Sequence, residues 1–353
     1  MRKPVLHIGR LLAVLALVLL GLGTGRLIWV TTNAPPPAAQ SAADLADING
    51  RFVTVRGVTL YTVEAGPTDG EPIVLVHGLL GSTQDFAELV PAMAAQGYRV
   101  LAVDRPPFGL SDKRAEAPMT AATQADLLVA WLEALGIAQA TWLGHSAGGA
   151  VVAQVALRHP ARASKLVLVA PQIGGAAAGD GRGRSPLANP ALPALLTIFL
   201  HSLNPISPWA EAELRAHFTE ARLRDFLQAQ LSTASVSDAM AADEARFTRV
   251  QEWEAGLRAF GRAALSDRAP LRVADLSALR MPVLIAWGED DAFVPIAAGR
   301  QLRDAIPGSA WVSYPRAGHQ PWRDAPQAFI RDLTAFLATP VAITALTPVN
   351  LSR

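Results

Sequence analysis

The sequence predicts an α/β fold: a mainly parallel sheet, interrupted by an all-helical insertion and preceded by a transmembrane helix. Three observations predict it. Short, continuously apolar runs alternate with helix-length segments from Phe52 onward and again after Pro282, as strands buried on both faces do when helices cross between them. Between Pro171 and about Leu279 no strand-like run occurs, and helical patterns follow one another instead. Leu11 to Val30 is almost wholly apolar, broken only by Arg26, and its 20 residues would cross roughly 30 Å as a helix.

Composition narrows the classes. A chain of 353 residues, 51% hydrophobic with a net charge of +1, has ample core and lacks the electrostatic footprint of a nucleic-acid binder. The absence of cysteine excludes disulfides, zinc–thiolate sites and thiol nucleophiles, and leaves the redox compartment open.

Arg2, Lys3 and Arg10 precede the apolar stretch, so the positive-inside rule keeps the amino end in the cytoplasm and sends the remainder outward. Arg26 lies near enough to the outer end to snorkel. Residues 1–33 therefore read as an anchor, giving a single-pass cell-membrane protein with its folded part outside. The alternative is a cleaved signal peptide with Leu11–Gly23 as its apolar region, and a secreted product. Residues 34–50, rich in proline and alanine, read as a semi-rigid linker lifting the domain off the bilayer.

The elements follow in order. Phe52–Arg56 and Thr59–Glu64 form a hairpin around Gly57, and Ile73–Val76 is a buried strand ending at His77-Gly78. Phe86–Ala95 reads as a helix, Tyr98–Val103 as a strand, and Ala121–Leu135 as a helix stopped by Gly136. Ala140–Gly149 is strand, sharp turn and helix start, with Gly144-His145-Ser146-Ala147-Gly148 fitting Gly-x-Ser-x-Gly. Glycines permit the strained turn and the close pass of helix over strand, and the serine is lifted beside helix N-terminal amides that favour negative charge. A plain strand-to-helix turn is the alternative at this point. Lys165–Ala170 is the next strand.

Gly174–Gly183 is Gly/Ala-rich and lacks the Gly-Lys-Ser/Thr ending of a phosphate loop; it reads as a hinge. Helices are expected at Ala191–Leu203, Trp209–Phe218, Ala221–Leu231 and Asp238–Leu265, together a lid. The sheet resumes with Pro282–Trp287, a helix runs to about Ala305, and Ala310–Tyr314 is the last strand. Asp324–Leu337 closes the domain, with Asp324 as its N-cap.

Several motifs stand in a fixed order: His77-Gly78, Asp104–Ser111, the Ser146 pentapeptide, Gly288–Asp291 and Gly318-His319. Together they resemble the α/β-hydrolase family with a helical cap, over roughly Phe52–Leu337. The resemblance implies an eight-stranded sheet, a core at 51–171 and 280–339, a cap at 172–279 and a tail at 340–353. One departure is Pro107, where similar sequences carry glycine, which touches loop geometry alone. The chain order serine, acid, histidine fits the triad of this fold, and all three would sit beyond the carboxyl ends of strands.

A serine hydroxyl is a poor nucleophile, so Ser146 needs a base; neutral His319 can take its proton and return it to the leaving group. Asp291 would fix the tautomer of that imidazole and stabilise its charged form. Asp290 competes for this role. The resemblance points to the backbone N–H groups of Leu79 and Ala147 as the oxyanion donors. His77 and His145 are implied as turn residues, and His159, His201 and His217 as surface or cap histidines. No two histidines fall at helical metal-ligand spacing with a carboxylate, so no metal and no cofactor are expected.

A serine nucleophile excludes the aspartate-dependent branches of the family and favours a carboxylesterase acting through an acyl-enzyme on an apolar ester. The alternatives are a carbon–carbon bond hydrolase of the meta-cleavage-product type and a membrane-tethered binding module without activity. A minority of the cap's apolar residues, most plausibly within Ala191–Leu203, would line an acyl pocket.

Overall fold

The computed structural model describes residue 21 and residues 24–174 and 189–340. Eight strands form one sheet in the order β1-β2-β4-β3-β5-β6-β7-β8. β1 (Gly50–Val55) and β2 (Val58–Ala65) make the expected hairpin, and β2 runs antiparallel to β4 (Arg99–Val103). From β4 onward every pairing is parallel: β3 (Pro72–Val76), β5 (Ala140–His145), β6 (Ala163–Val169), β7 (Val283–Gly288) and β8 (Ala310–Tyr314).

Successive side chains of a strand point to opposite faces, and the two apolar clusters divide accordingly. Val74, Val76, Leu166, Leu168, Ile285 and Trp287 face α3 (Ala121–Ala134), α4 (Ala147–Arg158) and α10 (Ile296–Ala305). Ile73, Leu75, Val167, Val169, Leu284 and Ala286 face α2 (Leu89–Ala94) and α12 (Pro326–Leu337). Burying each such side chain contributes about 1.5–3 kcal/mol relative to exposure.

Helix ends follow from local chemistry. Thr120 and Thr123 form a capping box before α3, and Gly136, at φ +72°, ends it. Two expected helices that cover the sheet are broken. Residues 83–86 form a 3-10 turn and α2 begins only at Leu89, because Pro91 has no N–H and is tolerated only in a first turn. The closing helix divides into α11 (Pro321–Asp324) and α12, since Ala325 before Pro326 is driven out of helical geometry (φ −137°, ψ 56°). Asp324 is therefore not the N-cap of α12, which has no side-chain cap.

The insertion is all helical: α5 (Leu192–Ser202), α6 (Ser207–His217), α7 (Glu220–Gln230), α8 (Asp238–Glu244) and α9 (Trp253–Ser266). The expected single helix at 238–265 is interrupted at 245–252, where Val250 bridges Gln40 and Glu252 takes φ +63°. Ile198, Leu214, Phe218, Phe247, Trp253 and Leu257 form the cap's own core, into which Leu80 and Phe108 of the sheet's loops insert. Gly256 brings α9 against the Pro107 loop, where a Cβ would lie 2.9 Å from Pro107.

The amino-terminal side differs from expectation. Residues 34–50 lie on the body instead of standing clear. Ala42, Leu45 and Ala46 pack on Tyr61, Leu110 and Val250, and Asp47 accepts bonds from Tyr61 and Arg246 at 2.9 and 2.7 Å. Residues 24–33 form α1, whose Arg26 pairs with Glu213 of α6 at 2.8 Å. Among the described residues no helix is long and apolar enough to cross a membrane. Most of the expected span, the hinge at 175–183 and the tail from 341 lie outside the described residues.

Candidate active site

Ser146 sits between β5 and α4 with φ 51° and ψ −120°, a backbone conformation costing a non-glycine residue about 1–3 kcal/mol. It is held there by bonds from Ser146 N to Val169 O and from Gln172 N to Ser146 O, at 3.0 and 2.9 Å. A Cβ on Gly148 would lie 2.3 Å from the carbonyl oxygens of both Val76 and His77, so only glycine lets α4 cross the end of β3.

His319 and Asp291 meet from the loops after β8 and β7. His319 Nδ1 lies 2.7 Å from Asp291 Oδ2, and both side chains are buried. The other carboxylate oxygen accepts the N–H groups of Phe293 and Val294 at 2.7 and 2.9 Å, so the carboxylate is fixed from both sides. Phe293 stacks on the imidazole at 5.1 Å, and His145 Nε2 donates to His319 O at 3.0 Å. Of the two competing carboxylates, Asp291 is the one on His319; the Asp290 N–H donates to Ala317 O. Among the described residues no hydrogen bond joins Ser146 to His319. They line one cavity together, and catalytic hydrogen bonds of unliganded sites often tighten only with substrate.

The loop after β3 completes the rim. Gly78 passes close enough that its Cβ would lie 3.1 Å from Ser146 Cβ. Arg105, which sequence reasoning passed over, organises this loop. Its Nε donates to His77 O at 2.9 Å and its Nη2 to Gly78 O at 2.7 Å, while Nη1 reaches Gln124. A trans peptide sets C=O and N–H on opposite sides, so with Gly78 O turned to Arg105 the Leu79 N–H faces the other way. Leu79 lines the cavity. Ala147 opens α4, where first-turn N–H groups have no intrahelical acceptor.

Burial sets the electrostatics. His77 and His145 are both held well below the usual histidine range by burial, with Arg105 and His319 respectively adding to the effect. Arg105 N donates to His77 Nε2 at 3.0 Å, so His77 Nδ1 carries the proton shared with Gly78 O. Burial lowers Arg105 to about 9, raises Asp104 to about 6 and lowers Lys113 to about 7. Asp104 accepts Thr83 N and Leu110 N at 2.6 Å each, and thereby ties the two loops around the site together.

The cavity at Ser146 is small, about 40 Å³, with Leu195, Phe226, Gln230 and Phe293 above it. A second cavity of about 450 Å³ adjoins, lined by Leu80, Pro193, Ala194, Phe218 and Leu223, and Phe226 borders both. Of the apolar cap residues, Phe218 and Trp253 are core packing, Leu196 and Leu200 are exposed, and Leu195 and Phe226 reach the cavity. His217 and His201 are cap residues and His159 pairs with Asp126 at 2.7 Å.

With this geometry in view, a family model described as the alpha/beta hydrolase fold matches residues 71–321. The chain is 28% identical to a 2-hydroxy-6-oxo-6-phenylhexa-2,4-dienoate hydrolase of Burkholderia cepacia, over 82% of this chain and 96% of the relative. It is 30% identical to a pimeloyl-[acyl-carrier protein] methyl ester esterase of Aliivibrio fischeri, over 76% of this chain and 94% of the relative. The crystal structure of an esterase from a Rhodococcus species superposes with a TM-score of 0.63 at 26% identity, covering 83% of this chain and 99% of that one.

Proposed function

The chain belongs to the α/β hydrolase fold family, and we propose that it is a serine hydrolase, most simply a carboxylesterase acting on an apolar ester. The observation that carries the proposal is His319, fixed by Asp291, on the wall of the cavity that also holds Ser146 on its strained turn. Ser146 Oγ attacks the ester carbonyl while His319 Nε2 takes its proton, and Asp291 steadies the imidazolium through Nδ1. The Leu79 and Ala147 N–H groups receive the oxyanion, each contributing on the order of 10²–10³ in rate. Collapse expels the alcohol, protonated by His319, and water then releases the acid from Ser146 by the same steps in reverse.

The acyl chain is assigned to the 450 Å³ cavity, whose walls are mainly apolar and whose size suits a small-molecule ligand. Hydrolysis of a carbon–carbon bond beside a carbonyl uses the same three groups. The likeness to the Burkholderia cepacia hydrolase supports that second reading. On the ester reading, the full-length protein cleaves p-nitrophenyl esters and Ser146→Ala lowers turnover by more than about 10⁴-fold. Bleaching of a dienol substrate faster than any ester is cut would establish the carbon–carbon reading instead, and turnover by neither route would leave a binding module.

We also propose that the amino-terminal segment anchors the protein in a membrane. This reading rests on the apolar stretch from Leu11 to Val30 after three basic residues, and on exposed Trp29, Leu200, Leu203 and Ile206 on α1 and the cap. Retention of the full chain in carbonate-washed membranes is expected, and recovery in the soluble fraction would contradict it.

A further inference from the structure

The hydrogen bonds that hold the catalytic-histidine loop do not come from the sheet alone. His319 N donates to Gln230 O, at the end of cap helix α7, at 2.7 Å. Gln320 Nε2 donates to Gln230 Oε1 at 3.1 Å. A Cβ on Gly318 would lie 2.5 Å from that same Gln230 carbonyl, so position 318 is a glycine because the cap backbone rests on it. Below this contact sits Asp324, displaced from the helix-capping role its sequence position suggested. Its Oδ2 accepts Gly318 N at 2.7 Å. Its Oδ1 accepts Thr233 N at 2.7 Å, Ala234 N at 2.8 Å and Thr233 Oγ1 at 3.0 Å, and Ser232 N lies 3.0 Å from Oδ2.

We propose that Asp324 is a positioning residue that clamps the cap segment 230–234 to the His319 loop, so that His319 is aligned for catalysis only when the cap is seated. The inference rests on His319 acting as the base of the reaction proposed above. One carboxylate receives three backbone N–H groups from the cap and one from the residue preceding His319. Lifting the cap by the length of a hydrogen bond therefore takes the three cap N–H groups off Asp324 and the Gln230 carbonyl off His319 N together. Carboxylates that accept several N–H bonds are strong, charge-assisted acceptors. Burial works to raise the pKa of Asp324, yet the bonds from Ala234, Gly318, Thr233 and Ser232 outweigh it and hold the group below the usual carboxylate range. Asparagine keeps the shape but turns one acceptor into a donor facing N–H groups.

The test uses the full chain, a p-nitrophenyl ester and a fluorophosphonate that titrates Ser146. Asp324→Asn is expected to lower kcat per titrated site by roughly ten- to a hundredfold, the cost of a misplacement near 1 Å. KM should change little, and fluorophosphonate labelling should slow in parallel with kcat. Asp324→Glu should recover part of both. A purely structural role would lower the melting temperature and leave kcat per site as in the wild type, which would overturn the proposal. Should Asp324→Asn fail to fold, Thr233→Val decides: loss of the hydroxyl that reaches Asp324 Oδ1 and the Asp324 carbonyl should lower kcat roughly threefold, and an unchanged kcat would overturn the clamp. Wild-type protein that neither cleaves esters nor takes up the label would instead refute the underlying function.

Discussion

At the scale of single residues, the site depends on how each polar group is satisfied. Asp291 spends one oxygen on two backbone N–H groups and the other on His319, leaving the imidazole one tautomer with Nε2 free to act. Asp291→Asn would present the wrong tautomer, and kcat should fall on the order of 10³–10⁴-fold, measured with the best ester at neutral pH. Asp290→Asn should retain activity within about threefold, because the carboxylate bonded to His319 Nδ1 belongs to Asp291. The reverse ranking would move the acid to Asp290. The proposed Ser146, Asp291 and His319 could be picked out because each stands in a short motif that also carries glycine. Arg105 and Asp324 could not, although both lie within or next to those motifs. Arginine is seldom buried, so nothing local announces that Arg105 turns inward to hold two carbonyls. Asp324 sits where a helix N-cap belongs, and its cap partners are 90 to 92 residues away in sequence.

At the scale of elements, strands were the most legible because burial on both faces writes them as unbroken apolar runs. Ala310–Tyr314 coincides with its expected limits, and β7 shifts by one residue at each end. Helices were legible in position and less so in continuity. Pro91 and Pro326 carried the breaks in plain view, whereas the interruption at 245–252 depends on Val250 pairing with Gln40, a contact across the cap that local pattern does not encode. The same holds for Phe226, which reads as one apolar position among many on α7 and proves to border both cavities. Phe226→Ala should join them. The ratio of kcat/KM for decanoyl over acetyl p-nitrophenyl ester should then rise by roughly tenfold; an unchanged ratio would remove the larger cavity from the substrate path.

At the scale of the whole molecule, cap and core close on each other through a few charged and polar groups set within apolar contact. Asp324 gives this a pH signature. Its folded-state pKa is depressed, so its contribution to stability is present above the unfolded value near 4 and is lost as pH falls through the lower folded value. The difference in melting temperature between wild type and Asp324→Asn should be constant from pH 7 to about 5 and close below about 4. A difference that persists there would mean the carboxylate charge is not what the cap binds. Ser146 is proposed to carry the acyl group between the two halves of the reaction. Rapid acid quench of the enzyme during turnover of a p-nitrophenyl ester, followed by mass spectrometry, tests it most directly. The expected result is a mass increase equal to one acyl group, mapped to the peptide containing Ser146 and absent from Ser146→Ala. Turnover that continues in the alanine variant, or an adduct mapped to any other side chain, would contradict it.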